Sequence, residues 1–317
     1  MRKLVSLATL ALVVTLAHPA AAAPSAGEVR NFGPELSATC NLPEGVAVDP
    51  QGNVYASSLN FNATSGPANI CVLDRSGALV DVISVAPAPG GVAKLLGMLF
   101  VPDEGLYVGD IGGGRVLRID VATHAATTIA TGFGAPNAFE RDHAGNIFVS
   151  DSFPGTVTKI APDGATTTFA YPDQLAPHGE SPPFGANGLA FDRNERYLYV
   201  AETSRDEIYR IAYANGALGA IELFARGSGT AALDGADGIA FDVRGNLYVC
   251  SNQSDEIAVL SPSGDVIAEY RGTGDNAFNS PASIVFEGRT VYVSNLALFH
   301  GGPNKLSVFT APYSGAP

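Results

Sequence analysis

Apolar and polar residues alternate in short runs along nearly the whole chain, and the runs come in pairs. In residues 184–203, FGANGLAFDRNERYLYVAET, alternation in GLAFD is followed by the polar turn RNER and by renewed alternation in YLYVAE. A period of two predicts β-strands, and the short polar break predicts an antiparallel hairpin. The same figure recurs as PEGVAVDPQGNVYAS, LLGMLFVPDEGLYVGD, APNAFERDHAGNIFVSD, GADGIAFDVRGNLYVCS and SPASIVFEGRTVYVSN. Each copy continues into a third apolar run, such as NICVLDRSG, RVLRIDVAT or EIAVLSPSG, and often a fourth, such as TTTFA or VIAEY. Asp-Gly, Gly-Asn and Ser-Gly mark the turns, where positive φ is needed. No stretch between the runs leaves room for a helix.

One unit is therefore strand, turn, strand, loop, strand, turn, strand, and it occurs six times, beginning near residues 43, 95, 135, 185, 235 and 280. With Gly45, Gly97, Ala138, Gly188, Gly238 and Ser283 taken as equivalent, the steps are 52, 41, 50, 50 and 45 residues. Six near-equal four-stranded units predict an all-β, six-bladed β-propeller, whose radial closure protects its edge strands. A pair of β-sandwiches would not require equal units. The segment EVRNFGPELSATC, ahead of the first unit, is expected to supply the outer strand of the last and so close the ring.

In such a ring the first strand of each blade lines the central channel. Just before the glycine, the six copies carry Glu44, Leu96, Asn137, Asn187, Asp237 and Ala282. Each polar member by itself reads as a turn residue making a local hydrogen bond. Four of them in one phase of a six-fold repeat bring two carboxylates and two amides to a common axis. That all-oxygen set suits a hard divalent cation, Ca²⁺ first, with Mg²⁺, Mn²⁺ or Zn²⁺ as alternatives. The adjoining glycines are expected to let the backbone turn tightly at the channel mouth.

Composition narrows the setting. The net charge of −13, with only 15% charged residues, argues against nucleic acid as a partner, because phosphate binding needs clustered Lys and Arg. Arg2 and Lys3, then LVSLATLALVVTLA, then the small residues of HPAAAAPS, form a signal-peptide pattern over residues 1–23, with cleavage near Ala23. The apolar run is too short for a membrane span of ~20 residues. Residues 24–317 are then expected to form one propeller domain, secreted or periplasmic, monomeric and free of the membrane. In an oxidising compartment Cys40 and Cys71 are the expected disulfide pair, and Cys250, inside NLYVCS, reads as a small buried hydrophobe. NAT at Asn62 and NQS at Asn252 match the glycan-acceptor pattern, which matters only in a eukaryotic secretory route.

ANGLAFDRNERYLYVAETSRDEIYRI resembles the signature of the senescence marker protein / gluconolactonase (regucalcin-like) family. PEGVAVDPQGNVYAS is similar to that family's first-blade Glu-Gly motif, and ADGIAFDVRGNLYVCS to its Pro-Asp-Gly segment, with Ala236 in place of Pro. The resemblance spans the six blades. It implies a six-bladed propeller with one divalent metal in the channel, held by Glu44, Asn187 and Asp237. It places Asn137 beside the metal, against substrate or a bound water, and implies lactone hydrolysis with Asp237 as the general base. One departure matters: where the sugar lactonases carry Arg-x-Asn-Asp, this chain reads APNA, with Ala135 and Ala138 at the Arg and Asp positions. Leu96 and Met98 are expected to make the mouth still more apolar. A lactone or ester less polar than a sugar lactone is predicted.

Other chemistry is sparse. His18 belongs to the leader, and His124 and His143 fall in turns. His178 lies in the proline-rich loop DQLAPHGESPPFGAN, which could cap the channel; His178 or Glu180 would then be an acid or base beside the substrate. His300, in NLALFHGGPN, is a similar candidate. GDIGGGR precedes no helix and reads as a tight loop rather than a phosphate cradle. No Gly-x-Ser-x-Gly element is present. Two functions remain open: an exported metal-dependent lactonase-like hydrolase of a small molecule, or a non-hydrolytic propeller. The second either binds a small molecule or partner in its channel or transforms an apolar substrate in a biosynthetic step.

Overall fold

The computed structural model describes residues 27–179, 184–227, 232–298 and 301–317. The expected leader, Glu180 and His300 lie outside the described residues. Six four-stranded antiparallel sheets stand around an axis. The first blade comprises β2 (Pro43–Val48), β3 (Val54–Ser58), β4 (Ala68–Leu73) and β5 (Leu79–Val85). The second comprises β6 (Leu95–Val101), β7 (Gly105–Asp110), β8 (Arg115–Ile119) and β9 (Ala126–Thr131). The third has β10 (Pro136–Arg141), β11 (Ile147–Asp151), β12 (Thr156–Ile160) and β13 (Thr166–Ala170). The fourth has β14 (Ala186–Phe191), β15 (Tyr197–Glu202), β16 (Glu207–Ala214) and β17 (Ala217–Arg226). The fifth has β18 (Ala236–Phe241), β19 (Leu247–Ser251), β20 (Glu256–Leu260) and β21 (Val266–Tyr270).

In the sixth blade β22 (Pro281–Glu287), β23 (Thr290–Asn295) and β24 (Lys305–Thr310) are completed by β1 (Arg30–Phe32), as the pattern predicts. Arg30, Asn31 and Phe32 pair with Val308, Ser307 and Leu306, so the two ends of the fold are stitched into one sheet. The innermost strands touch in sequence, β2 to β6 and onward to β22, which returns to β2. The Cys40–Cys71 disulfide ties the segment after β1 to β4, with the Cα atoms 6.1 Å apart. Cys250 is free and fully buried.

The hairpin turns are set by aspartates. Asp49 Oδ1 accepts from the backbone N–H groups of Gln51 and Asn53, and Asp242 Oδ1 from those of Arg244 and Asn246. These contacts replace ladder bonds that a turn cannot make. GDIGGGR is indeed a loop, between β7 and β8, where Gly113 N donates to Asp110 Oδ1 at 3.2 Å.

The innermost strands share an irregularity that bears on function. Register shifts between Pro43 and Val46, Leu95 and Met98, Pro136 and Phe139, Ala186 and Leu189, Ala236 and Ile239, and Pro281 and Ile284. Two residues in each strand thus escape the ladder, the ring position and its successor, and a bulge re-aims the side chain there. Serines of the second strands take up backbone N–H groups freed by the bulge. Ser57, Ser150 and Ser294 Oγ accept from Gly45, Ala138 and Ser283 N at 2.8, 2.9 and 3.0 Å. Ser57 then donates to Leu96 O of the next blade, and Ser294 to Glu44 O, so the hydroxyls also join blades.

The glycines after the ring positions do not serve tight turns, contrary to the sequence expectation. Gly45, Gly97, Gly188 and Gly238 have no positive φ. A Cβ on them would lie 2.5, 2.5, 2.2 and 2.5 Å from the carbonyl oxygens of Leu96, Asn137, Asp237 and Ala282. Each glycine lets its blade close onto the ring residue of the next one.

Candidate functional site

Six bulges aim six ring side chains at the axis near one end of the channel, where a cavity of about 840 Å³ opens. Its walls include Glu44, Leu96, Asn137, Asn187 and Asp237, so all four predicted polar ring residues meet there. The four are 3–4% exposed. Leu96 is on the same wall, whereas Ala282 is buried in the apolar cluster beside it. Met98 is not with them. Two residues further along β6, it lines a smaller cavity at the opposite end of the channel. It packs there against Ala47, Tyr55 and Leu95, because the bulge ends before it and the strand has by then run down the axis. The expectation that Met98 contacts substrate at the mouth is thus corrected.

The orientation of the four groups comes from a second circle of side chains that the sequence reading missed. Asn137 Nδ2 donates to Ser152 Oγ at 3.2 Å, and Ser152 Oγ donates to Ala186 O at 2.7 Å. Asn187 Nδ2 donates to Thr203 Oγ1 at 3.0 Å, and Thr203 Oγ1 donates to Ala236 O at 2.8 Å. Asn252 Nδ2 donates to Asp237 Oδ2 at 2.7 Å. Ser152, Thr203 and Asn252 occupy one repeat position, just past the second strand of blades three to five, where Leu59, Ile111 and Leu296 stand in the other blades. Aligning that position as the ring position was aligned would have found them. Asn252 is 6% exposed with its amide on Asp237, which is incompatible with a glycan there, while Asn62 is exposed.

The electrostatics are unusual for an acidic protein at neutral pH. Burial raises the Asp237 carboxyl to about 7, against the lowering effect of the Asn252 and Asn187 amides and the Gly238 N–H. Burial also raises Glu44 well above the ordinary carboxyl range, and the charge of Asp237 adds to it. Glu44 Oε2 and Asn252 Oδ1 are buried with no hydrogen-bond partner. Two crowded carboxylates and orphaned oxygen acceptors facing one space make a donor set with a cation's worth of missing positive charge. Among the described residues no three His, Cys, Asp or Glu cluster as metal ligands, since two of the four groups here are amides.

His178 lines the same cavity at its rim, exposed, with its backbone N–H donating to Ser204 Oγ at 2.8 Å. Phe153 and Phe184 lean on one another there, with centroids 5.5 Å apart. His124 and His143 are exposed and lie outside this cavity, paired with Asp81 and Glu195, with His143 lining the opposite end of the channel. His300 lies outside the described residues. The opposite end of the channel holds a half-buried Glu140, whose carboxyl burial raises to about 7.

Comparison with known proteins gives a consistent picture. The family model described as "SMP-30/Gluconolactonase/LRE-like region" matches residues 85–296. A gluconolactonase of Zymomonas mobilis is 24% identical over 302 residues, covering 84% of this chain and 83% of its own. The solved structure of a Xanthomonas campestris gluconolactonase superposes with a TM-score of 0.66 at 19% identity, covering 92% of this chain and 98% of its own. A regucalcin of Agrobacterium tumefaciens, described as a calcium-binding protein, superposes with a TM-score of 0.63 at 16% identity, covering 90% and 95%. Likeness of that degree establishes a shared fold.

Proposed function

As this chain belongs to the SMP-30/gluconolactonase/LRE-like family, we propose that it is an exported, divalent-metal-dependent hydrolase of a lactone or related ester less polar than a sugar lactone. One observation carries the reading: Glu44, Asn187 and Asp237 converge at a buried point where Glu44 Oε2 has no partner in the protein. These three would hold the ion, Ca²⁺ by preference, as all their donors are oxygen. Once bound, such an ion polarises an ester carbonyl and acidifies a water.

The chain's own residues do the rest. Thr203 fixes the amide of Asn187 so that its oxygen faces the cavity. Ser152 does the same for Asn137, which can then orient a carbonyl or a water. Asp237, held by Asn252, is the general base that takes the proton of the attacking water. The apolar half of the cavity and the alanines at 135 and 138 leave few groups to hold sugar hydroxyls, which supports the less polar substrate. The same two features favour a second reading, a non-hydrolytic transformation or binding of an apolar molecule in this cavity.

The test is metal content followed by turnover. Ca²⁺ is expected to co-purify or to bind with one ion per chain, and a panel of aryl and aliphatic lactones should include substrates. Asp237→Asn should abolish turnover. Absence of bound metal, or undiminished turnover in the variant, would overturn the mechanism; bound metal without any hydrolysis favours the second reading.

A further inference from the structure

The cavity is divided by polarity in a way that describes its occupant. Glu44, Asn137, Asn187, Thr203, Asp237 and Asn252 make one side. Leu59, Leu96, Ile111, Leu296 and Leu298 make the other, backed by a continuous apolar cluster. The division follows the blades, with Glu44 of blade one as the exception: the other polar residues belong to blades three to five, and the leucine wall to blades six, one and two. At about 840 Å³ the space is in the range that encloses a drug-sized molecule, far more than a single sugar ring needs.

A cation stands in the apolar half. Lys94 lines the cavity, and no other Lys or Arg does among the described residues. Its ammonium donates to Phe61 O at 2.8 Å and lies 5.4 Å from the centroid of the Phe61 ring. Among the described residues no carboxylate pairs with it. The nearby Asp110 accepts from the Lys94 backbone N–H at 3.0 Å, but its Oδ2 is paired with Arg115 at 2.8 Å. An ammonium has three donors, and a carbonyl with an aromatic face leaves room for an anion. A chain of net charge −13 offers many partners for a lysine, yet this one faces the cavity with no carboxylate partner among the described residues.

We propose that the occupant of this cavity is an amphiphilic anion. Its compact ester or lactone head sits on the polar side, its apolar body lies along the leucine wall, and an anionic group pairs with Lys94. The head group rests on the hydrolase reading above; the body and the anion rest on the wall and on Lys94 alone.

The experiment uses dihydrocoumarin-type aryl lactones bearing a carboxylate on spacers of increasing length, each compared with its methyl ester. At the spacer that fits, the carboxylate should be preferred about tenfold in kcat/KM, through KM, as a charge-assisted pair implies. Lys94→Met should bring the two compounds together, Lys94→Glu should reverse the order, and Lys94→Arg should keep it. Binding of the matching chroman carboxylates, cyclic ethers that cannot be hydrolysed, is measured by calorimetry on the same proteins. Binding that depends on Lys94, with no lactone hydrolysed, upholds the apolar body and the anion of this inference and overturns the hydrolase reading together with its ester or lactone head. Hydrolysis without preference for any carboxylate, or a preference that survives Lys94→Met, overturns this inference and leaves the hydrolase reading standing.

Discussion

Thr203→Val isolates the positioning of the site from its donors. The two side chains are nearly isosteric, so no cavity opens; what is lost is one hydroxyl. That hydroxyl accepts from Asn187 Nδ2 at 3.0 Å and donates to Ala236 O at 2.8 Å. Thr203 and Asn187 are 6% and 4% exposed, so the groups left unpaired are largely shielded from bulk water. Leaving a buried polar group unpaired costs about 1–3 kcal/mol, and two groups together about 2–6 kcal/mol. With an m-value of about 3 kcal/mol/M, the urea midpoint should fall by roughly 0.7–2 M. The released amide can rotate, and loss of an orienting partner lowers metal affinity by about 10–100-fold. The assay is urea unfolding with excess Ca²⁺ and with chelator, alongside calorimetric Ca²⁺ titration. The variant should lose stability in both conditions and should lose most of the Ca²⁺-dependent increment. Thr203→Ser keeps the hydroxyl and should retain Ca²⁺ affinity. If Thr203→Val unfolds and binds Ca²⁺ like the wild type, the hydroxyl does not position Asn187 and the account of the second circle fails.

Three further outcomes are expected. Gly188→Ala puts a Cβ 2.2 Å from Asp237 O, so blade four must retreat from blade five; thermal stability and Ca²⁺ affinity should both fall sharply, whereas Gly164→Ala, with nothing within 4 Å, should cost only its positive-φ strain, and equal losses from both would refute the close-approach argument. Cys40→Ser with Cys71→Ser opens a loop of sequence separation 31, for which chain entropy gives up to about 4 kcal/mol; chemical denaturation of the double variant should show a loss of that order, and reduction of the wild type should match it. Glu140 has a carboxyl raised to about 7 in the folded state, by burial, so the folded chain holds a proton that the unfolded chain releases near its ordinary value of 4.5; stability should decline as pH rises between these values and level off above 7, and Glu140→Gln should flatten that decline in urea titrations at pH 4.5 to 7.5.

The period-two pattern and its six-fold recurrence specify much of this protein unaided. Strand alternation reports which face of each sheet is buried, and equal units can bury their faces only by stacking around an axis. The closure by β1 was legible for the same reason, because the last unit lacked an outer strand and the first residues of the fold offered one. Glu44, Asn137, Asn187 and Asp237 were legible too, since repeats convert a shared sequence phase into a shared place. Met98 was misplaced because phase along a strand does not tell how far down the channel a side chain lies; the bulge and the strand's descent set that. The glycines beside the ring were assigned to turns, whereas their reason is the carbonyl of another blade, some 40 to 50 residues away in sequence. Thr203 and Asn252 looked like ordinary loop residues until the ring closed around them. Periodic burial is written locally and can be read locally. The facing of Lys94 into a leucine-lined cavity, the orphaned oxygen of Glu44 and the raised carboxyl of Asp237 depend on contacts between blades, and only the closed ring creates them.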